Sequence, residues 1–350
     1  MESRSHHDKQ GSWIDSAMHL LGRRCLIAAL AAALCFVTAA EANQYFRIGT
    51  GSTGGTYFPI GAILASAISN PPGSRECDRG GSCGVPGLIA VAQSTSGSVE
   101  NVRAIGAGLL ESALSQADVA FWAYNGRHTF TETGPIRNLR AIANLYPEMV
   151  HIVVRRDAGI LTVRDLKGKR VSLDREGSGT LVDAMIILEA YGLKPEDLTV
   201  EHLEPGPAAD RLRDGTLDAF FLVAGVPASA VNDLASTVAI GLVPITGPEA
   251  ERLRQTYPFF TPGYIPAGAY PGIYSTPTVS VGAQWLVAAE IPDDIVYGVT
   301  KALWHPSTGA LLEAGHPQGK HIQKETALDG IGIPLHPGAI RYYREAGMLP

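Results

Sequence analysis

The run Phe46 to Tyr57 (FRIGTGSTGGTY) constrains the fold of this chain more than any other stretch. A short apolar strand ends at Ile48 and enters a loop of glycines and hydroxyls. Pro59 to Ile68 follows with apolar residues at helical spacing. Glycines let the backbone come close to a partner, and the first turn of a helix offers unpaired N–H groups at the positive end of its dipole. That combination can hold an anion, most simply a carboxylate or a phosphate.

The layout then repeats. In the first half a strand at 88–92 meets the Ser/Thr/Gly loop 94–98, and the pattern predicts a helix from Val99 to Ser115 and a strand over Ala117–Phe121. In the second half the strand Arg170–Leu173 leads through Glu176-Gly177-Ser178-Gly179-Thr180 into a helix from Leu181 to Tyr191. A strand at 199–203, a helix at 207–213 and a strand after the Asp214–Asp218 turn complete that unit. Strands alternating with helices predict parallel sheets, and two such units predict an α/β protein with two lobes and a cleft between them. Residues 141–155 read as a strand pair crossing between lobes, and Val238 to Ile245 as the return crossing. Pro258, Pro262, Pro266, Pro271 and Pro277 suggest a strap back to the first lobe, finished by helices at 292–304 and 337–346. The expected division is 43–150 with 246–350 for lobe 1, and 151–245 for lobe 2.

Residues 1–42 read as an export leader. Arg23-Arg24 precede an apolar run from Cys25 to Val37, and Ala40-Glu41-Ala42 fits a cleavage site near Ala42. The run is short for a membrane span, with an uncleaved anchor as the competing reading. Both Sec and twin-arginine export stay open, and Leu34 before Cys35 argues against lipidation. The mature protein is therefore expected to be periplasmic. Net charge is −6, the leader removes as many basic as acidic residues, and no basic patch suggests nucleic acid. Cys77 and Cys83 remain in a Gly/Pro/Arg-rich insert at 71–87. In an oxidising compartment a disulfide is expected there; the rival is a metal site, with no His or further Cys near in the sequence.

Several chemistries are excluded on spacing. Gly49-x-Gly51-x-x-Gly54 matches a dinucleotide fingerprint, but the next strand ends in Gln93-Ser94-Thr95 without the acid that would take a ribose. No Gly-Lys-Ser/Thr follows the glycines, and Ser178 lacks the first glycine of a hydrolase elbow. The histidines after the leader show no H-x-H or H-E-x-x-H pattern, and no acid pair stands at an obvious catalytic spacing. The chain reads as a protein that holds a ligand without reacting it, with no cofactor or metal expected. Helix capping is the plainer reading of Ser98 or Thr180 taken singly. Three such helix starts at equivalent places favour a shared site. Arg103, Arg155 and Arg175 read as surface charges.

The residues also resemble the TAXI family of solute receptors, the extracytoplasmic components of TRAP transporters. The resemblance rests on Ile48 to Tyr57, Gly97-Ser98-Val99-Glu100-Asn101, Gln116-Ala117-Asp118-Val119-Ala120 and Leu145-Tyr146-Pro147-Glu148. It continues in 165–172, 177–180, Val223-Ala224-Gly225-Val226-Pro227, 257–259 and 333–339, across essentially the whole chain after the leader. It implies a two-lobed periplasmic-binding-protein fold, type II-like, and delivery to a sodium-coupled TRAP membrane permease by a monomer. It implies a small carboxylate ligand, a glutamate-type amino acid or a dicarboxylate. Carried onto this sequence, it puts Ser52, Thr53, Gly54, Gly55, Thr56, Tyr57, Ser98 and Gln116 against the ligand from the first lobe. Tyr146 stands at the crossing, Ser178, Gly179 and Thr180 close from the second lobe, and the turn at Gly225 lies below. The alternatives are a ligand sensor presenting to a membrane kinase and an exported enzyme on the same scaffold.

Overall fold

Alternation in β1 (Gln44–Gly49) buries Phe46 and Ile48 and turns Tyr45 to solvent. The computed structural model describes residues 44–350, so the leader and the cleavage expected near Ala42 lie outside the described residues. After β1 come α1 (Tyr57–Ile68), β2 (Leu88–Gln93), α2 (Ser98–Gly106), β3 (Ser112–Gln116) and α3 (Ala117–Asn125). The long β4 (Leu139–Arg155) leads to β5 (Arg170–Ser172), α4 (Gly179–Ala190), β6 (Thr199–Glu201), α5 (Pro205–Arg213), β7 (Ala219–Ala224) and α6 (Ser229–Ala235). The remainder is β8 (Ile240–Leu242), α7 (Gly247–Thr256), β9 (Thr261–Ile265), β10 (Thr276–Ala288), α8 (Asp293–Leu303), α9 (Pro306–Gly315) and α10 (Pro337–Glu345).

These ten strands share one sheet, in the order β2-β1-β3-β10-β4-β7-β5-β6, with β8 added to β4 and β9 to β10, while Ser69–Asn70 and Val85–Pro86 pair in a separate two-stranded sheet. Within each flank the neighbours are parallel: β2-β1-β3 on one side and β7-β5-β6 on the other. The two flanks meet through antiparallel β10 and β4. β3 and β7 are buried along their whole length, as interior parallel strands covered on both faces must be.

Several sequence expectations change here. The strand expected over Ala117–Phe121 is the start of α3, and the strand lies earlier, at Ser112–Gln116, where a helix to Ser115 was expected. Short apolar runs do not distinguish strand from buried helix by period alone. The crossing expected as a strand pair over 141–155 is one 17-residue strand. Its first part pairs with β10, and Met149–Val154 pairs with β7. The return crossing is β10; Val238–Ile245 supplies only β8, at the Val153–Arg155 end of β4. The proline-rich stretch is no loose strap. It follows α7 and holds β9, with Pro262 in a strand that β10 pairs on one side, where a missing N–H is tolerated. Tyr270 and Ile273 lie in the core with Phe220, Leu222 and Ile240, so this stretch packs against the second half. On the other half Trp285 is buried with Ile142, Ala143 and Leu145, and its indole N–H donates to Ser112 Oγ at 3.2 Å.

Candidate functional site

All six parallel strands lead at their carboxyl ends to one small cavity. Gly51, Ser52 and Gly55 to Tyr57 follow β1, Ser96 to Ser98 follow β2, and Gln116 ends β3. Asp174 and Ser178 to Thr180 follow β5, Pro205 follows β6, and Leu222 and Val223 lie near the end of β7. Helices α1 to α5 begin around it, so the positive ends of five helix dipoles and their first-turn N–H groups surround the space. Its volume is about 50 Å³. At roughly 10–15 Å³ per water-sized group, that holds about four such groups.

The cavity is small because the two halves touch. Glu100 N donates to Gly177 O at 2.9 Å and Ala230 N to Gly54 O at 3.1 Å. Gly225 N donates to Thr56 Oγ1 at 3.0 Å, Ser229 Oγ to Thr53 O at 3.2 Å, and Gln116 Nε2 to Asp183 Oδ2 at 2.7 Å. The glycines at the contact are required by closeness. A Cβ on Gly179 would lie 1.3 Å from Gln116 Oε1, and Gly97, at φ 117°, approaches Ser178.

Of the residues expected at the ligand, Ser52, Gly55, Thr56, Tyr57, Ser98, Gln116, Ser178, Gly179 and Thr180 line this cavity. Thr53 and Gly54 sit outside it, on a rim groove beside Gly206 and Ser229, where their carbonyls join the halves. Tyr146 and Gly225 lie behind the cavity and contact each other; Tyr146 Oη donates to Thr56 Oγ1 at 3.4 Å. Some hydroxyls serve the fold itself. Ser178 Oγ caps α4 by accepting from Leu181 N at 3.0 Å, and Thr180 Oγ1 accepts from Val223 N at 3.0 Å. Ser98 Oγ accepts from Gln116 N at 3.1 Å. Among the described residues no arginine lines the cavity: Arg175 pairs with Glu204, Arg155 with Asp157, and Arg103 lies over the Phe130 ring.

Sequence reasoning missed the acids. Glu148 lines the cavity from β4, and Tyr57 Oη donates to its Oε2 at 2.6 Å. Burial pushes this carboxyl up to about 8, against the Tyr57 hydrogen bond that lowers it. Asp174, at φ 72° in the turn after β5, is pushed by burial to about 6 while hydrogen bonds from Arg175 N and from the Ser178 and Thr180 hydroxyls pull it down. Behind Gln116, Asp118 and Asp183 are fully buried, and desolvation raises both. Asp183 stands out in the sequence as the lone charge in the apolar run Leu181–Leu188; Asp118 stands two residues past the end of β3.

Cys77 and Cys83 are joined in a disulfide, with their Cα atoms 4.7 Å apart. Folding does bring a histidine to it, since His305 Nε2 lies 3.9 Å from Cys77 Sγ. These three make the one potential metal-ligand group among the described residues, and the bonded sulfurs offer it no thiolate. A larger chamber of about 670 Å³ lies elsewhere, against Tyr146, Pro147, Phe259, Thr261, Ser280 and His321. No helix N-terminus among its lining residues comes from the parallel flanks apart from Ala117 of α3.

A family model described as the NMT1-like family matches residues 48–347. The chain belongs to this family. Among solved structures, a protein of Bordetella bronchiseptica RB50 is 15% identical at a TM-score of 0.50, covering 89% of this chain and 91% of that one. A protein described as a periplasmic transporter is 14% identical at a TM-score of 0.51, covering 77% and 87%. The periplasmic aliphatic sulphonate binding protein SsuA of Escherichia coli is 16% identical at a TM-score of 0.41, covering 87% and 79%. The likeness is one of fold: the NMT1-like chain shares with these structures a mixed α/β architecture, a central sheet flanked by helices.

Proposed function

We propose that this protein is an extracytoplasmic solute receptor that closes its two halves over a small organic acid and hands it to a membrane permease. One observation carries the reading: helix N-termini from both halves converge on one cavity that, among the described residues, no cationic side chain lines. Backbone N–H groups and dipole ends can hold a carboxylate there without an arginine. Glu148, with its carboxyl pushed up to about 8, stays protonated at neutral pH and can donate to an anion instead of repelling it. The lobes would meet at β4 and β10, the two strands that cross between flanks, and would hinge there.

The first half contributes β1 to α3 and the carboxyl-terminal helices; the second contributes β5 to α6 with the α7–β9 stretch packed on it. The leader read in residues 1–42 supports a periplasmic location. The resemblance of the sequence to TAXI receptors supports a sodium-coupled TRAP permease as the partner and a glutamate-type amino acid or dicarboxylate as ligand. Thermal melts of the mature chain against amino acids, keto acids and dicarboxylates test the receptor. At least one small acid should raise the melting temperature in a concentration-dependent way, and no response from any of them would refute the reading. Uptake into vesicles holding the permease should then follow an imposed sodium gradient; uptake that instead needs ATP would reassign the permease class.

A further inference from the structure

The unexplained chemistry lies one layer behind the cavity. Asp118, in the first turn of α3, meets Asp183, in the second turn of α4, carboxyl to carboxyl. The two come from opposite halves, and both are fully buried. One oxygen of each is occupied: Asp118 Oδ1 accepts from Val119 N at 2.8 Å, and Asp183 Oδ2 accepts from Gln116 Nε2 at 2.7 Å. The other oxygen of each, Asp118 Oδ2 and Asp183 Oδ1, is buried without a partner among the described residues. Two buried anions in contact repel strongly, and each would strand an acceptor. A single proton between them turns one oxygen into a donor for the other and satisfies both at once.

We propose that closure of the two halves traps one proton between Asp118 and Asp183, so that ligand binding by this protein is proton-linked. The proposal rests on the closing-receptor reading and adds a regulation of the same site. With the halves apart, both carboxyls return to water, where aspartate titrates near ~3.9 and is ionised at neutral pH. Closure must then take up a proton. Desolvation and mutual repulsion raise the pair, so closure is favoured at low pH and lost as pH rises through the pair's closed-state titration, by up to about tenfold per pH unit.

The other titratable groups facing the pair do not replace it. His128, just past α3, is solvent-exposed and held below its ordinary value by desolvation, so it is neutral at and above neutral pH. Glu148, on β4, titrates at about 8 and would take up a second proton on its own account. Tyr57 and Tyr146, raised well above 10 by burial, stay neutral. Gln116 is the polar neutral contact.

The test uses the ligand-free mature chain, with pH as the probe. Carboxyl-carbon NMR with labelled aspartate should show, besides Asp174, one aspartate titrating far above the ordinary range. That titration should vanish in Asp183→Asn, whose amide donates to Asp118 without a proton, and in Asp118→Asn. Small-angle scattering should show the wild type expanding as the group titrates, with Asp183→Asn expanding only where the separate Glu148 carboxyl titrates, at about 8. Ordinary titration of every aspartate but Asp174, persistence of the high titration in Asp183→Asn, or dimensions that ignore it would each overturn the proposal. An intact titration beside a failed acid panel would remove the receptor reading and leave the proton pair standing.

Discussion

Gly179→Ala separates closure from folding. Gly179 is the first residue of α4 and is not in the left-handed region, so alanine is allowed by the backbone. Its Cβ, however, would lie 1.3 Å from Gln116 Oε1, 2.5 Å from Gln116 Cδ and 2.8 Å from Ser98 Oγ. With the halves together, the Gln116 side chain must swing out and forfeit its 2.7 Å hydrogen bond to the buried Asp183. A hydrogen bond to a charged or charge-sharing group contributes about 1.5–3 kcal/mol. Closure, and with it affinity, should weaken by roughly 10- to 150-fold. With the halves apart there is no clash, and alanine favours the helix by up to about 1 kcal/mol. Above the titration of the Asp118–Asp183 pair, where the ligand-free halves are apart, the melting temperature without ligand should therefore hold or rise slightly. Calorimetric titration with the acid that shifts melting most, beside ligand-free melts, reads both effects. Affinity within twofold of wild type would refute the closed contact, and a large loss of ligand-free stability would show that Gly179 serves folding.

Three further outcomes follow from the same contacts. Ser178→Ala removes the cap of α4 and should lower unfolding stability by about 0.5–2 kcal/mol in urea, apart from any effect on ligand. Glu148→Gln should flatten the alkaline side of the stability curve. The folded protein holds the Glu148 proton up to about pH 8 while the unfolded chain releases it near ~4.3, so stability falls as pH rises between them, by at most about 1.4 kcal/mol per pH unit. Urea midpoints from pH 5 to 8 should fall less in the variant; equal slopes would remove this carboxyl from the account. The Cys77→Ser, Cys83→Ser double variant opens a ring of six-residue separation and should cost at most about 2 kcal/mol, with the response to small acids unchanged.

Much of the architecture was legible because it rests on local signals. Glycine and hydroxyl loops after short apolar strands marked β1, β2 and β5, and nine of the residues that the TAXI resemblance implies at the ligand line one cavity. What stayed hidden depended on the other half. Thr53, Gly54 and Gly225 look like ligand residues in sequence, yet their backbone groups join the halves, a role fixed only by α6 and β7 meeting the first loop. Asp118 and Asp183 are 65 positions apart, and the spacing gives no hint that they meet. β3 was misplaced because its five residues are buried on both faces and so lack alternation. The return crossing was missed because prolines at 258–277 suggested irregular chain, while the strand itself begins at Thr276.

A crystal structure of the mature protein grown with the acid that binds tightest tests the central claim most directly. The ligand's carboxylate should lie between the first turns of α1 and α4, within hydrogen-bond reach of backbone N–H groups from both halves. Density for the acid in the chamber beside Phe259 and His321, with the space between those helix starts filled only by Gln116 and Tyr57, would contradict it.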